Sequence, residues 1–556
     1  MAEYRKDGAH DYDAHDYDDQ EYEEEESGTF HYIPGWLRDT PYWMLSTVLH
    51  LILFAVLYSI LLEVRIDDKE QQPIKIKPAP QKKVDEYDPT RKRDMKKTRK
   101  ILDPTLVDKP IIERKLDEVT PEIPKGTDLN NLTNVDLNSD AISDAIGVGA
   151  GAAGAYGERW GKGSLVAEGG GAGTEEAVRA ALEWLKRHQS PDGSWKARDY
   201  TDMCRKRCRN KDAKRYGSGR GFDGHDVGVT GLAILAFAGY GHTHQDGQYP
   251  EYVEVLKRAV KYLKSRQVRS DDPNENGRYG SDKEEQWIYD HSIATMAMGE
   301  LLAMSGDSLN LKRSVTDAIK LILRAQNTGF GWKYGIKPGR NDTSVTGWMV
   351  LALKTAKNAD IDVSKEEFAR SFEGALTWFD RSTSVANGKT GYEVPGDEGS
   401  VLTQGDDDSD YAYSKDLSCM TAVAVLCRLF AGQSRGDAVL KRGVDILMKE
   451  TPQWVEQKDK QLSKVNVYYW YYGSYAMFQF GGSLWKKWNE DMKAALLPTQ
   501  RQEFDPQTKK PLDEDGSWDP IGEWGLAGGR VYSTALGAMT LEVYYRFVRA
   551  TQGVGL

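Results

Sequence analysis

Six strongly apolar segments, recurring about once every 60 residues, constrain the fold of this chain more than any other feature. They alternate with six amphipathic segments, in which apolar residues recur at helical spacing with charged residues between them. A helix that is apolar on all sides must be surrounded by protein, whereas an amphipathic helix buries only one face. The pattern therefore predicts an inner barrel of six buried helices inside a ring of six outer helices. The apolar segments begin at Asp226, Asp290, Asp342, Asp416, Tyr471 and Val531.

The alternative to a closed ring is an open solenoid of helix pairs. An open solenoid needs terminal repeats with a polar outer face, because its ends meet water. The first and last apolar segments are as apolar as those between them. The sequence therefore predicts an all-α domain over residues 175–550 that closes on itself as an (α/α)6 toroid.

The chain ahead of this domain divides into four segments of different composition. The first thirty residues carry twelve acidic side chains against Arg5 and Lys6, so residues 1–40 are expected to be a disordered acidic tail. The apolar run from Trp43 to Val64 is long enough to span a hydrocarbon core of roughly 30 Å, which predicts a transmembrane helix over residues 41–64. We expect residues 65–146, rich in Pro and Lys, and residues 147–174, rich in Gly and Ala, to be linkers.

Charge and cysteine content exclude some classes of function. The net charge of −11 lies almost entirely in the acidic tail, so the chain has no basic field for nucleic acid. Four cysteines do not make a disulfide framework in a chain of this length. Cys204 and Cys208, with a nearby histidine, are weak candidates for a small metal site or a local disulfide. The sequence predicts no cofactor.

The turns that follow the amphipathic segments share a short pattern. In the first, Trp184 and Leu185 precede Gln189, and Gly193 and Trp195 follow it. This pattern resembles the QW motif of the squalene–hopene cyclase and protein prenyltransferase superfamily. The resemblance implies an α/α toroid in which the Gln caps an outer helix and the aromatic residue of the next turn stacks on it. Further copies include Gln267 with Tyr279, Gln326 with Trp332 and Gln500 with Trp518, whereas Thr383 and Thr451 replace Gln in two units.

The catalytic motif of this superfamily is not matched within the toroid. Class II cyclases protonate an alkene with an Asp-x-Asp-Asp motif, and the match in this chain, Asp16 to Asp19, lies in the acidic tail. The nearest toroid segment carries four acidic residues interrupted by Ser409, and it is either a divergent acid or cation site or a solvated loop. We therefore favour a toroid without cyclase activity. The candidate catalytic residues, should the toroid be an enzyme, are Asp406, Asp407, Asp408 and Asp410.

The aspartates that begin four of the inner helices define a second candidate site. An Asp at a helix start commonly caps exposed backbone N–H groups. If the inner helices are parallel, their first residues also converge on one mouth of the barrel. There a ring of carboxylates near aromatic side chains could bind a sugar or another polar ligand. The predicted binding residues are Asp226, Asp290, His291, Asp342, Trp348 and Asp416.

The predicted membrane helix carries one ionisable group. Ser46 and His50 lie four residues apart, hence on one helical face. This spacing resembles the transmembrane helix of TonB-type energy transducers, which implies contact with a proton-driven motor complex of the ExbB–ExbD kind. The alternative is a tolerated histidine without function. Lys and Arg are concentrated after the helix, which favours a cytoplasmic C-terminus, whereas the transducer resemblance favours a periplasmic one.

Together these features predict a single-pass protein of a bacterial inner membrane, with its toroid on the periplasmic side. We interpret the toroid as a binding or energy-coupled scaffold. The alternatives are a membrane-tethered terpenoid cyclase and a glycan-active (α/α)6 enzyme. The ligand is left open among an isoprenoid, a glycan and a protein.

Overall fold

The structure is a computed structural model. It describes His50 and residues 169–204, 219–281, 283, 287–357, 359, 361–397, 418–456, 463–505, 507–521 and 524–546. The acidic tail, almost all of the membrane segment, the linkers up to residue 168, Ser46, Cys208, the Asp406–Asp410 cluster and Asp416 lie outside these residues. Within the described part of the chain, no helix combines the length and the apolar character needed to cross a membrane.

The toroid consists of alternating outer and inner helices, as the sequence pattern predicts. We number them α1 to α12 in chain order, so that odd numbers are outer and even numbers inner. The outer helices are α1 (Ala172–Arg187), α3 (Pro250–Ser265), α5 (Arg313–Ala325), α7 (Lys365–Ser382), α9 (Ala438–Leu447) and α11 (Gly482–Leu496). The inner helices are α2 (Asp226–Gly239), α4 (Trp287–Ser305), α6 (Thr343–Lys357), α8 (Cys419–Phe430), α10 (Val467–Phe480) and α12 (Gly525–Leu541). A short helix, α13 (Val543–Arg546), follows α12.

The inner helices form a closed barrel. Each packs against the next one in chain order, and α12 packs back against α2. Each outer helix packs on inner helices of the barrel, and the first outer helix, α1, lies against the last inner helix, α12. Across the described residues, extended pairing is limited to three isolated bridges. The predicted all-α toroid is confirmed.

Burial follows the two sequence patterns. Every residue of α2 from Val227 to Gly239 is buried, because this helix is covered on all sides by its neighbours. In α3 the side chains of Tyr252, Leu256, Ala259 and Leu263 are buried at helical spacing, whereas the lysines between them point outward.

Several helices begin earlier than the sequence segments suggest. Helix α10 begins at Val467, four residues before Tyr471, because the Asn466 side chain accepts the Tyr469 N–H at 2.9 Å and caps it. Helix α7 begins at Lys365, behind a capping box of Ser364 and Glu367. Helix α12 begins at Gly525 and is interrupted at Gly529, whose φ of 67° breaks the helical path.

The QW turns bridge consecutive units. The Gln189 amide donates to the carbonyl of Gly193 in its own turn at 3.0 Å and to Val255, in the next outer helix, at 2.9 Å. The glutamine thus links its turn to a carbonyl within the following outer helix, and the expectation that it caps an outer helix is wrong. The same pair of bonds recurs at Gln267 (to Gly277 and Ser314), Gln326 (to Phe330 and Ser371) and Gln500 (to Gly516 and Ala177).

In the three QW turns that carry a tryptophan, the indole binds the end of the outer helix. Trp195 Nε1 donates to the Leu185 carbonyl, in the last turn of α1, at 2.7 Å. The Trp195 backbone N–H donates to Thr230 Oγ1 on the inner helix at 2.9 Å. Both bonds recur at Trp332, to Ile322 and Thr346, and at Trp518, to Leu496 and Thr534. These turns are structural joints.

Candidate functional site

A cavity of about 100 Å³ opens at the end of the barrel where the inner helices begin. Five of the six inner helices contribute to its wall through residues in their N-terminal halves or just before them. Its floor is buried, whereas its rim is partly exposed. The lining residues are His225, Gly228, Val229, Leu232, Tyr289, Asp290, Ile293, Ser344, Trp348, Tyr468, Trp524, Ala527, Gly528 and Tyr532.

Asp290 is the carboxylate of the cavity wall. Its Oδ1 accepts the backbone N–H of Gly228 on the neighbouring helix α2 at 3.0 Å, and its Oδ2 lies 3.4 Å from His225 Nδ1. Because α4 begins at Trp287, Asp290 stands inside the helix, and the N-cap interpretation is wrong for it. A Cβ at Gly228 would lie 2.2 Å from Asp290 Oδ1, so only glycine allows this approach.

The two other described aspartates of the predicted ring have different partners. Asp226 Oδ1 accepts the Ala197 N–H at 3.0 Å and so ties the first QW turn to α2; its helix has no side-chain cap. Asp342 does act as a cap, since its Oδ1 accepts the Val345 N–H at 2.6 Å. Neither of them lines the cavity. Of the described ring residues, Asp290 and Trp348 reach its wall.

Asp342 belongs to a hydrogen-bonded chain of tyrosines. Tyr392 Oη donates to Asp342 Oδ2 at 3.2 Å, and the hydroxyls of Tyr392 and Tyr334 are 2.8 Å apart. Complete burial raises the pKa of Asp342 to about 7, although the Val345 N–H, the nearby Lys333 and the Tyr392 hydroxyl act in the opposite direction. The Tyr334 ring packs against Tyr289 of the cavity wall in a tilted arrangement, with the ring centroids 6.0 Å apart.

Aromatic side chains from α6 and α10 line part of the cavity wall. The Trp348 indole lies 6.1 Å from the Tyr468 ring and 5.7 Å from the Tyr472 ring, in an edge-to-face arrangement with the latter. Ser344 Oγ and Tyr468 Oη are 3.0 Å apart. Burial raises the pKa of Tyr468 well above its ordinary value, so this hydroxyl stays protonated.

His291 does not take part in this site. Its Nδ1 accepts the backbone N–H of Tyr279, the aromatic residue of the second QW turn, at 3.1 Å. The ring is fully buried, and this burial lowers the pKa of His291 to about 3. At this joint His291 accepts the backbone N–H of the aromatic residue, as Thr230 does for Trp195 and Thr346 does for Trp332. The prediction that His291 lies at the mouth is therefore wrong, because it follows Asp290 by one residue and so points about 100° away around the helix.

Cys204 has a histidine neighbour that the sequence does not suggest. Its Sγ lies 3.5 Å from Nε2 of His188, at the end of α1. The other ring nitrogen of His188 lies 2.8 Å from the Trp184 carbonyl, and burial lowers the pKa of this histidine to about 3. Among the described residues, no group of three or more potential ligands could hold a metal ion. The weak metal prediction, which also involves Cys208, is not supported within that part of the chain.

Several lining residues escaped the sequence analysis. His225 directly precedes Asp226, which marks the start of the first inner segment, and that position is a recognisable signal. Tyr468, Trp524 and Tyr532 carry no comparable signal, because their apolar helices predict burial without showing which face meets the axis.

A buried ion cluster lies at the other end of the barrel. The Arg546 guanidinium contacts Glu300 Oε2 at 2.6 Å and Glu542 Oε2 at 3.1 Å, and it donates to the Leu235 carbonyl at 2.6 Å. All three charged side chains are at most 2% exposed. Burial raises the pKa of Glu300, while Arg546 acts in the opposite direction. The cluster joins α2, α4, α12 and α13 across the barrel.

No protein-family model matches the chain, and no curated protein matches it in sequence. Several solved structures align with the chain. An α-1,6-mannanase from Salegentibacter sp. HEL1_6, solved as an inactive variant with α-1,6-mannotriose, aligns over 67% of this chain and 99% of its own, with a TM-score of 0.41 and 10% identity. A type II terpene cyclase from Scytonema aligns over 67% and 97%, with a TM-score of 0.39 and 13% identity. A sugar epimerase from a ruminal bacterium aligns over 69% and 99%, with a TM-score of 0.40 and 12% identity.

Proposed function

We propose that the toroid is a ligand-binding module that holds a compact group of its ligand in the cavity at the mouth of the barrel. The aromatic cavity described above is the observation that carries this proposal. It combines a buried apolar floor of Trp348, Leu232 and Ile293 with a few polar groups at its side, which is the usual composition of a binding pocket.

The engagement of the carboxylates favours binding over acid catalysis. A cyclase needs a carboxylic acid whose proton faces the alkene. Asp226 and Asp342 lie outside the cavity wall, and Asp290 is held by the Gly228 N–H with His225 beside it. A carboxylate fixed in this way suits the positioning of a ligand.

The size of the cavity limits what it can hold. An engineered apolar cavity of about 150 Å³ accommodates benzene, so a cavity of about 100 Å³ holds a group of only a few heavy atoms. A complete polyprenyl chain exceeds that volume. The proposed ligand therefore inserts one compact group and leaves the rest of its structure at the rim.

The proposal includes tethering to a membrane, with the apolar run over residues 41–64 as the anchor. Ser46 and His50 remain candidates for contact with a proton-driven partner complex. This part of the proposal rests on the sequence alone. A bacterial inner membrane, with the toroid on its periplasmic side, remains the expected location.

Binding in the cavity is tested with the full-length chain in lipid nanodiscs. Two branched probes of equal size, cationic choline and neutral 3,3-dimethylbutan-1-ol, are titrated while tryptophan fluorescence is recorded. We expect a saturable change with at least one probe, because Trp348 and Trp524 line the cavity. Ile293→Phe, which fills the cavity, should abolish the change. Leu309→Phe, at a position that is 99% exposed, should not. Absence of any saturable change in a folded sample would refute the proposal.

The pairing of His225 with Asp290 in the cavity wall favours a second candidate, an acid–base enzyme of the terpenoid cyclase or glycan-active type. Incubation of the full-length chain with squalene, shorter polyprenyl substrates and α-linked oligosaccharides, followed by mass spectrometry, distinguishes the two. Product that is lost in Asp290→Asn would establish an enzyme. No product, together with saturable probe binding, would leave the binding module.

A further inference from the structure

The cavity wall is an incomplete aromatic cage. Five aromatic side chains line it: Trp348, Trp524, Tyr289, Tyr468 and Tyr532. They come from four different inner helices or the residues just before them, so their rings surround the space from several sides. An aromatic ring carries partial negative charge on its face, and several such rings together attract a cation.

The charged groups around the cavity have the sign that a cation requires. Asp290 supplies a carboxylate in the wall, and none of the described lining residues is a lysine or an arginine. Each inner helix that begins at the mouth contributes roughly half a positive charge there. The Asp290 carboxylate, in the first turn of α4, opposes that contribution at the cavity wall.

Asp290 is held in place for this role. Its Oδ1 is fixed by the Gly228 N–H at 3.0 Å, and the missing side chain of Gly228 leaves the room that the carboxylate occupies. The carboxyl group is only 7% exposed, so its charge is weakly screened by water. A cation within the cage would meet this charge at one side and aromatic rings at the others.

From these observations we propose that the mouth cavity binds a methylated ammonium group, such as the trimethylammonium end of choline, between its aromatic rings and the Asp290 carboxylate. This inference rests on the proposed binding function and specifies the chemical class of its ligand. A trimethylammonium group has few heavy atoms and no N–H donors. It therefore suits a cavity of about 100 Å³ whose floor is aromatic and apolar.

The first test compares choline with 3,3-dimethylbutan-1-ol by isothermal titration calorimetry on the full-length chain in lipid nanodiscs that lack choline lipids. The two molecules have the same shape and differ in charge. We expect choline to bind about tenfold more tightly or better, since both the rings and the carboxylate distinguish the two. Equal or tighter binding of the neutral alcohol would overturn the inference and leave the proposed binding function intact. Binding of neither would overturn both.

The second test removes the charge at one position. Asp290→Asn keeps an oxygen that can accept the Gly228 N–H, and Asp226→Asn is the matched control, because Asp226 lies outside the cavity wall. Asp290→Asn should weaken choline binding about tenfold and leave the binding of the neutral alcohol unchanged. Asp226→Asn should change choline binding by about twofold at most. A choline affinity unchanged by Asp290→Asn, or lowered equally by both substitutions, would contradict the assignment.

Discussion

At the scale of single residues, the aspartates near the starts of the inner helices have different hydrogen-bond partners. Asp226 ties a QW turn to the barrel, Asp290 reaches a neighbouring helix and the cavity, and Asp342 caps its own helix. The residue type at the start of an inner segment therefore does not determine its partner. The position of the residue relative to the start of the helix decides which way the carboxylate points. Three described residues of α4 precede Asp290, for example.

The buried carboxyl group of Asp342 should make stability depend on pH. Its pKa is about 7 in the folded chain against an ordinary value of 3.8, so between these limits the folded state binds more protons than the unfolded state. The free energy of unfolding should therefore fall as pH rises through this window, by up to about 1.4 kcal/mol per pH unit. Denaturant titrations at pH 5 and pH 8 measure this slope.

Asp342→Asn is the matched variant for this measurement, since its side-chain oxygen can still accept the Val345 N–H. It should lose the part of the slope that belongs to this carboxyl group, so that its stability relative to the original chain increases from pH 5 to pH 8. A difference between the two proteins that stays constant over this range would show that Asp342 does not titrate there.

At the scale of elements, the toroid is assembled from repeated joints between helices. In the three QW units that end in tryptophan, one Gln bridges two neighbouring outer helices, and the Trp joins the end of the outer helix to the inner helix. The last joint has an additional role, because Gln500 donates to the Ala177 carbonyl in α1 at 2.7 Å. Trp184 of α1 in turn donates to the Asp513 carbonyl of the last unit at 2.7 Å.

Gln500 links the last outer unit to the first outer helix, so loss of its side chain should selectively destabilise α1 and α11. Gln500→Ala leaves the buried carbonyls of Ala177 and Gly516 without this donor, which should cost about 1–3 kcal/mol. Hydrogen exchange measured by mass spectrometry should become faster in α1 and α11 and stay unchanged in α5. Gln507→Ala, at an exposed position, is the control. Uniformly faster exchange in all helices would mean that the joint contributes to global stability rather than to closure.

At the scale of the whole molecule, the barrel has two unlike ends. The end where the inner helices begin carries the aromatic cavity, and the opposite end is closed by the cluster of Arg546, Glu300 and Glu542. Buried ion pairs seldom add much stability, but loss of one partner leaves a charge without compensation. The cluster therefore fixes how the last helices meet α2 and α4.

Arg546→Met should destabilise the toroid by about 3–5 kcal/mol, because it leaves two buried carboxylates without their cation. The combination of Arg546→Met with Glu300→Gln and Glu542→Gln should recover most of this loss. Chemical denaturation followed by circular dichroism measures both. If the triple variant were no more stable than the single one, the arginine would contribute through packing instead of charge.

The architecture of this protein follows from the pattern of its sequence, whereas its candidate site arises from the packing of distant helices. Helical periodicity is a local property, since each apolar or amphipathic segment records its own burial, and six pairs of such segments predict a closed toroid. The cavity depends on which face of each inner helix meets the barrel axis, and a helix that is apolar all round does not encode that face. Asp290 could be predicted as a site residue because it begins an apolar segment, and Trp348 because it is the one tryptophan of another apolar segment. His291 was misplaced, and Tyr468, Trp524 and Tyr532 were missed, because only the packing of five helices around one axis brings such residues together.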